Sequence, residues 1–154
     1  MSQVDYVIGD KHEPGYTYPS GTIELDITKI DFPDDHFDLI ICSHVLEHVD
    51  DDRRAMRELF RVLAPGVTAI LMVPMGTGAD TYEDPSITEP AERLRHFGQF
   101  DHVRIYGRDY SQRLVEAGFQ VEELAFADRY SAEDIFRFGL VRGELMHIGT
   151  HPTV

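Results

Sequence analysis

The stretch Phe37-Asp38-Leu39-Ile40-Ile41-Cys42 runs without a break into Ser43-His44-Val45-Leu46-Glu47-His48, and its reading decides the fold. The first six residues are mostly apolar, as in a strand buried on both faces of a parallel sheet. Asp50, Asp51 and Asp52 then supply an N-cap and a negatively charged first helical turn. Met56, Leu59, Phe60 and Leu63 recur at helical spacing, and Pro65-Gly66 stops that helix. Thr68 to Val73 reads as a second buried strand.

Working outward, Val4 to Gly9 alternates weakly and is expected to form a strand ending at Asp10. A Gly and Pro loop, Pro14 to Gly21, leads to a short strand, Thr22 to Leu25, ending at Asp26. Downstream, Pro74 to Pro90 is a long polar connection, of the kind that often carries function. Glu92 to Phe97 reads as a short helix. Asp109 to Ala117 is a clearer one, with Gly118 at its C′ position. Phe119 to Phe126 reads as a strand, Ser131 opens a last helix with Asp134 in the capping-box position, and Glu144 to Gly149 closes the chain's strands. The alternation predicts one α/β domain over residues 1–154, Rossmann-like, with a mostly parallel sheet. Ligands in such sheets bind at the carboxyl ends of strands, which places Asp10, Asp26 and Ser43 along one rim.

Composition narrows the function. The 154 residues carry 28 acidic against 14 basic side chains, a formal net charge of −14, so a nucleic acid is not an expected partner. No apolar run is long enough for a membrane span, and the N-terminus has neither a basic start nor a long apolar stretch, so a cytoplasmic protein is expected. Cys42 is the only cysteine, which excludes an intramolecular disulfide and a cysteine-built zinc site.

Leu25-Asp26-Ile27, Phe32-Pro33, Phe37-Asp38, Ser43-His44-Val45-Leu46-Glu47-His48, Asp52, Arg61-Val62-Leu63 and Pro65-Gly66 together resemble the class I S-adenosylmethionine-dependent methyltransferases, in order and spacing over most of the chain. The resemblance implies S-adenosylmethionine as cofactor and an unidentified methyl acceptor. Asp10 matches the acid that binds the ribose hydroxyls, Asp26 the acid that accepts from the adenine amino group, and Ile27 the apolar residue packed on that ring. Ser43 and His44 match the strand end beneath the methionine portion. His102 falls in a polar set with Glu83, Asp84, Asp101, Arg104 and Tyr106, where the family has its substrate side. His44 and His102 are the candidate catalytic groups, since imidazole is the usual proton acceptor near neutral pH.

The chain departs from the family's pattern in two respects, the lesser being Val67, where the family usually has another Gly after Pro65-Gly66. The strand and acidic Gly-rich loop that wrap the methionine part of the cofactor belong before Val4, and Gly76-Thr77-Gly78 follows the wrong strand to replace them. An N-terminally shortened domain is therefore expected, with weak or absent cofactor binding. Two strand edges are left for a second copy to cover, so a homodimer is expected. A non-catalytic, methyltransferase-like binding module is the alternative function. His44-Val45-Leu46-Glu47-His48 also spells the H-x-x-E-H of inverted zinc peptidases, but that chemistry needs the pentad on one helix, with a third ligand such as Glu92 or Glu116. Here His44 is expected at a strand end, and no metal is expected.

Overall fold

The computed structural model describes residues 4–153. Its elements are β1 (Ile8–Asp10), β2 (Thr22–Glu24), β3 (Phe37–Ser43), a 3-10 turn at Leu46–His48, α1 (Asp52–Val62), β4 (Leu63–Met72), β5 (Tyr82–Glu83), α2 (Pro90–Phe97), β6 (Arg104–Ile105), α3 (Tyr110–Ala117), β7 (Gln120–Leu124), a 3-10 turn at Phe126–Arg129, α4 (Ala132–Phe138) and β8 (Met146–Thr150).

The main sheet has the order β3-β4-β8-β7. β3 and β4 are parallel, β8 is antiparallel to β4, and β7 is antiparallel to β8. Three of the four strands thus run the same way, and the expected α/β sheet is present, but β8 enters between β4 and β7 in the opposite sense, so one ladder is parallel and two are antiparallel. β4 lies between β3 and β8 and buries one face completely: Ala69 and Leu71, two residues apart and so on the same side, are inaccessible to solvent, while Ile70 and Met72 on the other side are half-buried. α1 covers one face with Ala55, Met56, Leu59 and Val62, all buried, as its apolar spacing dictates. Asp51 caps this helix by accepting from the Arg54 backbone N–H at 3.0 Å. Ser131 caps α4 in the same way from Asp134. Gly118 ends α3 at φ 119°, and a Cβ there would meet the Phe60 ring at 2.8 Å. Both the left-handed backbone and the close approach of α1 require glycine at this position.

Two boundaries differ from the sequence reading. Leu63 does not continue the helix: it has extended backbone and begins β4, with Pro65 and Gly66 inside that strand's first half. The register between β3 and β4 shifts between Phe37 and Leu39, so the missing N–H of Pro65 interrupts no regular ladder. β1 begins at Ile8, not Val4, because only Ile8, Gly9 and Asp10 find partners, on β2.

The two edges raised by the sequence stay apart. β1 pairs in parallel with β2 in a separate two-stranded sheet, and β3 is paired on one side only, by β4. Leu39 and Ile41 on β3 are 54% and 67% exposed although their residue types suit a buried strand. The sheet has not closed up between β1 and β3.

His147, in the middle of β8, is 1% exposed, stacks edge-on against Tyr110 at 4.7 Å, and has no hydrogen-bond partner for either ring nitrogen. Burial pushes its pKa below the usual 6.5, with Glu123 opposing weakly. The unfolded chain therefore takes up this proton at a higher pH than the folded one. Its contribution to stability is complete above about pH 6.5 and is lost as the pH falls through the folded-state value. Urea unfolding at a series of pH values from 7.5 to 5 is expected to show stability falling with acid, and His147→Leu is expected to flatten that slope. An unchanged slope in the variant would contradict the assignment.

Candidate functional site

The carboxyl ends of β1, β2 and β3 border a cleft of about 990 Å³. Asp10 and Asp26 line it from one side, with Ile27, while Leu39, Ile41 and His44 line it from β3. The structure thus brings together four of the six residues expected to form the site: Asp10, Asp26, Ile27 and His44. Ser43 ends β3 as expected but is not part of the cleft wall. His102 lines a second, smaller cavity of about 250 Å³ together with Pro74, Met75, Phe97 and Gly98.

Asp26 holds a local turn. Its Oδ1 accepts from the Thr28 backbone N–H at 2.8 Å and from the Thr28 hydroxyl at 2.7 Å, and these two bonds hold the carboxyl below the usual carboxylate range. Both bonds fall on Oδ1. The structural and the ligand-binding readings of this residue are therefore compatible.

His44 adopts φ 56°, a left-handed conformation that a residue with a Cβ seldom takes. Its backbone N–H still donates to Met72 at 2.9 Å, so the chain turns sharply off β3 right after the sheet's last hydrogen bond. Leu46–His48 then forms a 3-10 turn. The H-x-x-E-H pentad is consequently half strand end and half turn, and the helix that an inverted zinc peptidase needs is absent from it. Glu116 is paired with Arg53 and Glu92 lies 3.1 Å from Arg95, so neither approaches the pentad as a ligand.

Within the turn, Glu47 is 2% exposed, and its Oε2 has no hydrogen-bond partner. Its Oε1 lies 3.6 Å from His44 Nδ1 and 3.9 Å from His48 Nε2. The other ring nitrogen of His48 is 3.4 Å from Asp101 Oδ2, and the His48 and His102 rings meet edge to face at 4.7 Å. The Val103 backbone N–H donates to the Glu47 carbonyl at 2.9 Å, which fixes residues 101–103 against the turn. Sequence reasoning missed this assembly because His102 lies more than fifty residues from His48 and no local spacing connects them.

The polar set read from the sequence as a substrate side divides in two. Arg104 and Tyr106 are buried, and although Arg104 adds to the wall of the small cavity, its guanidinium is taken up by protein acceptors. Arg104 donates to the carbonyls of Leu46 and Asp50 at 2.9 Å, to that of Val49, and to Glu83 at 2.9 Å. Tyr106 donates to Asp52 at 2.8 Å, and Arg113 bridges Asp52 at 3.0 Å and Glu83 at 2.8 Å. Burial works against the charged form of Glu83, but the bonds from Arg113 and Arg104 outweigh it and hold the carboxyl low. Burial, with Asp52 nearby, pushes the Tyr106 phenol well above its ordinary range, so it stays protonated as a donor. Asp84 caps a turn through Ser86. Cys42 is 5% exposed, and burial pushes its thiol up to about 12, which removes it as a nucleophile.

Arg104 is thus a structural clamp on the turn that carries Glu47 and His48. Arg104→Met would leave three carbonyls without their charged donor and Glu83 with only one of its two guanidinium partners, Arg113. We expect a loss of about 3–5 kcal/mol in chemical unfolding, and a loss below about 1 kcal/mol would show the clamp to be dispensable.

Residues 5–71 match the family model described as a methyltransferase domain. An uncharacterized methyltransferase, YcgJ of Bacillus subtilis, is 33% identical over 113 residues, covering 72% of this chain and 39% of that protein. The ubiquinone/menaquinone biosynthesis C-methyltransferase UbiE of Vibrio cholerae is 33% identical over 112 residues, covering 64% of this chain and 43% of that protein. The chain therefore spans less than half the length of these relatives. The crystal structure of YcgJ superposes with a TM-score of 0.56 at 18% identity, over 86% of this chain and 71% of that one. The [4+2]-cyclase SpnF superposes equally well, with a TM-score of 0.56 at 18% identity over 86% of this chain and 57% of that one.

Proposed function

Sequence over residues 5–71 and fold over most of the chain are those of the class I methyltransferases, and from that premise we propose that this chain carries the nucleotide-binding half of an S-adenosylmethionine-dependent methyltransferase site. The observation that supports it most is the meeting of Asp10, Asp26 and Ile27 on one wall of the cleft at the carboxyl ends of β1 and β2. Two carboxylates suit ribose hydroxyls and an adenine amino group, all of which are donors, and an apolar side chain suits the ring face. The residues present fit the nucleoside. At the other end of the cleft the fit is poorer, since Gly9 is the only glycine on its wall and no Gly-rich backbone faces Leu39 and Ile41 among the described residues.

When bound, the cofactor supplies an electrophilic methyl on a sulfonium, which leaves as a neutral thioether while the acceptor's nucleophile takes the carbon. The chain's own residues orient and exclude. Asp10 and Asp26 fix the nucleoside, β3 supplies the apolar floor, and His44 stands at the strand end where an acceptor proton would be taken. His102 serves the acceptor side from the second cavity. Methyl transfer needs a near-linear approach, so this positioning is a large part of catalysis. We place the protein in the cytoplasm, with no nucleic-acid partner. No helix among the described residues is long and apolar enough to cross a membrane.

A non-catalytic reading is kept by the half-open cleft. A fold of this type also supports chemistry other than methyl transfer, as the superposition on a cyclase illustrates. Calorimetry with S-adenosylmethionine and its demethylated product separates the two readings: weak but saturable binding supports the first, and no binding at millimolar ligand supports the second. Asp26→Asn retains the Oδ1 acceptor for Thr28 but replaces the second oxygen with a donor. We expect it to weaken cofactor binding by about 1–3 kcal/mol at an unchanged melting temperature. An equal loss of stability would assign Asp26 to the turn alone.

The exposed apolar edge of β3 supports the further proposal that a second copy covers it. Light scattering over a dilution series is expected to show a homodimer, and a stable monomer at micromolar concentration would overturn this.

A further inference from the structure

We propose that Glu47, His48 and His102 form a binding site for a divalent first-row transition cation, oriented from behind by Asp101. One donor atom from each of the three residues lies within 4.8 Å of the others. Metal bonds of about 2.0–2.1 Å place such donors roughly 3–3.5 Å apart, so small rotations of the side chains bring all three onto one centre.

Three features set this cluster apart from a chance meeting of polar side chains. The first is the Glu47 carboxylate, 2% exposed, with an oxygen that nothing in the described structure satisfies. A buried unpaired carboxylate oxygen costs several kcal/mol unless a cation or donor meets it. The second is His48, whose two nitrogens face two carboxylates: Nε2 is 3.9 Å from Glu47 and Nδ1 is 3.4 Å from Asp101. A histidine that ligates a metal usually gives its other N–H to a carboxylate, which fixes tautomer and ring orientation. Asp101 also has a buried oxygen without a partner. The third is the backbone, since Arg104 and the Val103 N–H hold the turn and residues 101–103 together independently of any ion.

Two imidazoles and one carboxylate suit Zn²⁺, Mn²⁺ or Fe²⁺ better than Mg²⁺ or Ca²⁺, which prefer all-oxygen shells. Three protein ligands also leave positions for water or an oxygen donor of a second molecule. The cluster stands between the two cavities, with His48 and Asp101 on the wall of the large cleft and His102 on that of the small one. His44, 3.6 Å from the Glu47 carboxylate, is a further nitrogen donor on the cleft side. This site does not depend on the helical H-x-x-E-H geometry, because its second histidine is His102.

The test is titration of the chelator-treated full chain with Zn²⁺ alone by calorimetry, and with Mn²⁺ alone by electron paramagnetic resonance. One equivalent per chain at micromolar affinity is expected. His102→Ala, on the rim of the cluster, and Asp101→Asn are each expected to weaken binding at least about tenfold while circular dichroism shows an unchanged fold. His96→Ala, whose imidazole meets Tyr82 and Glu92 elsewhere on the surface, is expected to change nothing. No binding below millimolar metal, or binding that His102→Ala leaves intact, would overturn the proposal. The readout is metal occupancy, so its outcome is independent of whether the chain transfers a methyl group.

Discussion

One guanidinium holds the functional end of this fold together. Arg104 reaches the carbonyls of Leu46, Val49 and Asp50 and the carboxylate of Glu83, and it is 3% exposed while doing so. Those carbonyls belong to the irregular turn between β3 and α1, whose own bond to one of them, from the Val49 N–H to Leu46, is long at 3.3 Å. An unpaired buried carbonyl is expensive, and a charged donor with several N–H groups in one plane is well suited to remove that cost at several points together. Around it, the buried Asp52, Arg113 and Tyr106 and the more exposed Glu83 form a set in which each charge has opposite charges or hydrogen-bond donors at contact distance. The burial of any one of them is tolerable only because the others are present.

The consequence for the cleft is rigidity on one side and openness on the other. The side of the turn is fixed by Arg104, and His44 is held in left-handed backbone at its start, a conformation that persists only where the surroundings enforce it. The opposite side is built from β1 and β2, a two-stranded sheet with no ladder to β3. Between them Leu39 and Ile41 face solvent. The geometry is that of a recess of about 990 Å³ with two carboxylates on one wall and an unpaired strand edge on the other.

Electrostatics distributes roles in the same way. Residues whose protonation burial or fixed partners control, such as Cys42, Tyr106, Glu83 and His147, are structural. Asp10, His44, His48 and His102 stand on cavity walls instead, and Asp26 does so too while its Oδ1 is held by Thr28. The acidic balance of the chain adds nothing to this division, because most of its carboxylates are on the surface.

The sequence by itself determined the helices and the main-sheet strands in their order, because these depend on local patterns, but not the short strands β5 and β6 or the end of α1 before Leu63. The apolar run Phe37 to Cys42, the spacing of Met56 and Leu59, the caps at Asp51 and Ser131, and Gly118 each act within a few residues. Of the residues that strand-end position puts on one rim, Asp10 and Asp26 line the cleft and Ser43 does not, while Ile27 and His44, which only the family resemblance singled out, line it as well. Tertiary structure alone decided which distant residues meet. Nothing near Arg104 in the chain signals that its three carbonyl partners lie more than fifty residues upstream, nor that His102 stands beside His48 and the buried Glu47. The sequence showed six polar residues between 83 and 106 as a single set; folding buried Arg104 and Tyr106 and left His102 at a cavity. A polar side chain is made structural or chemical by what is packed around it, and that is set by long-range contacts, not by its neighbours in the chain.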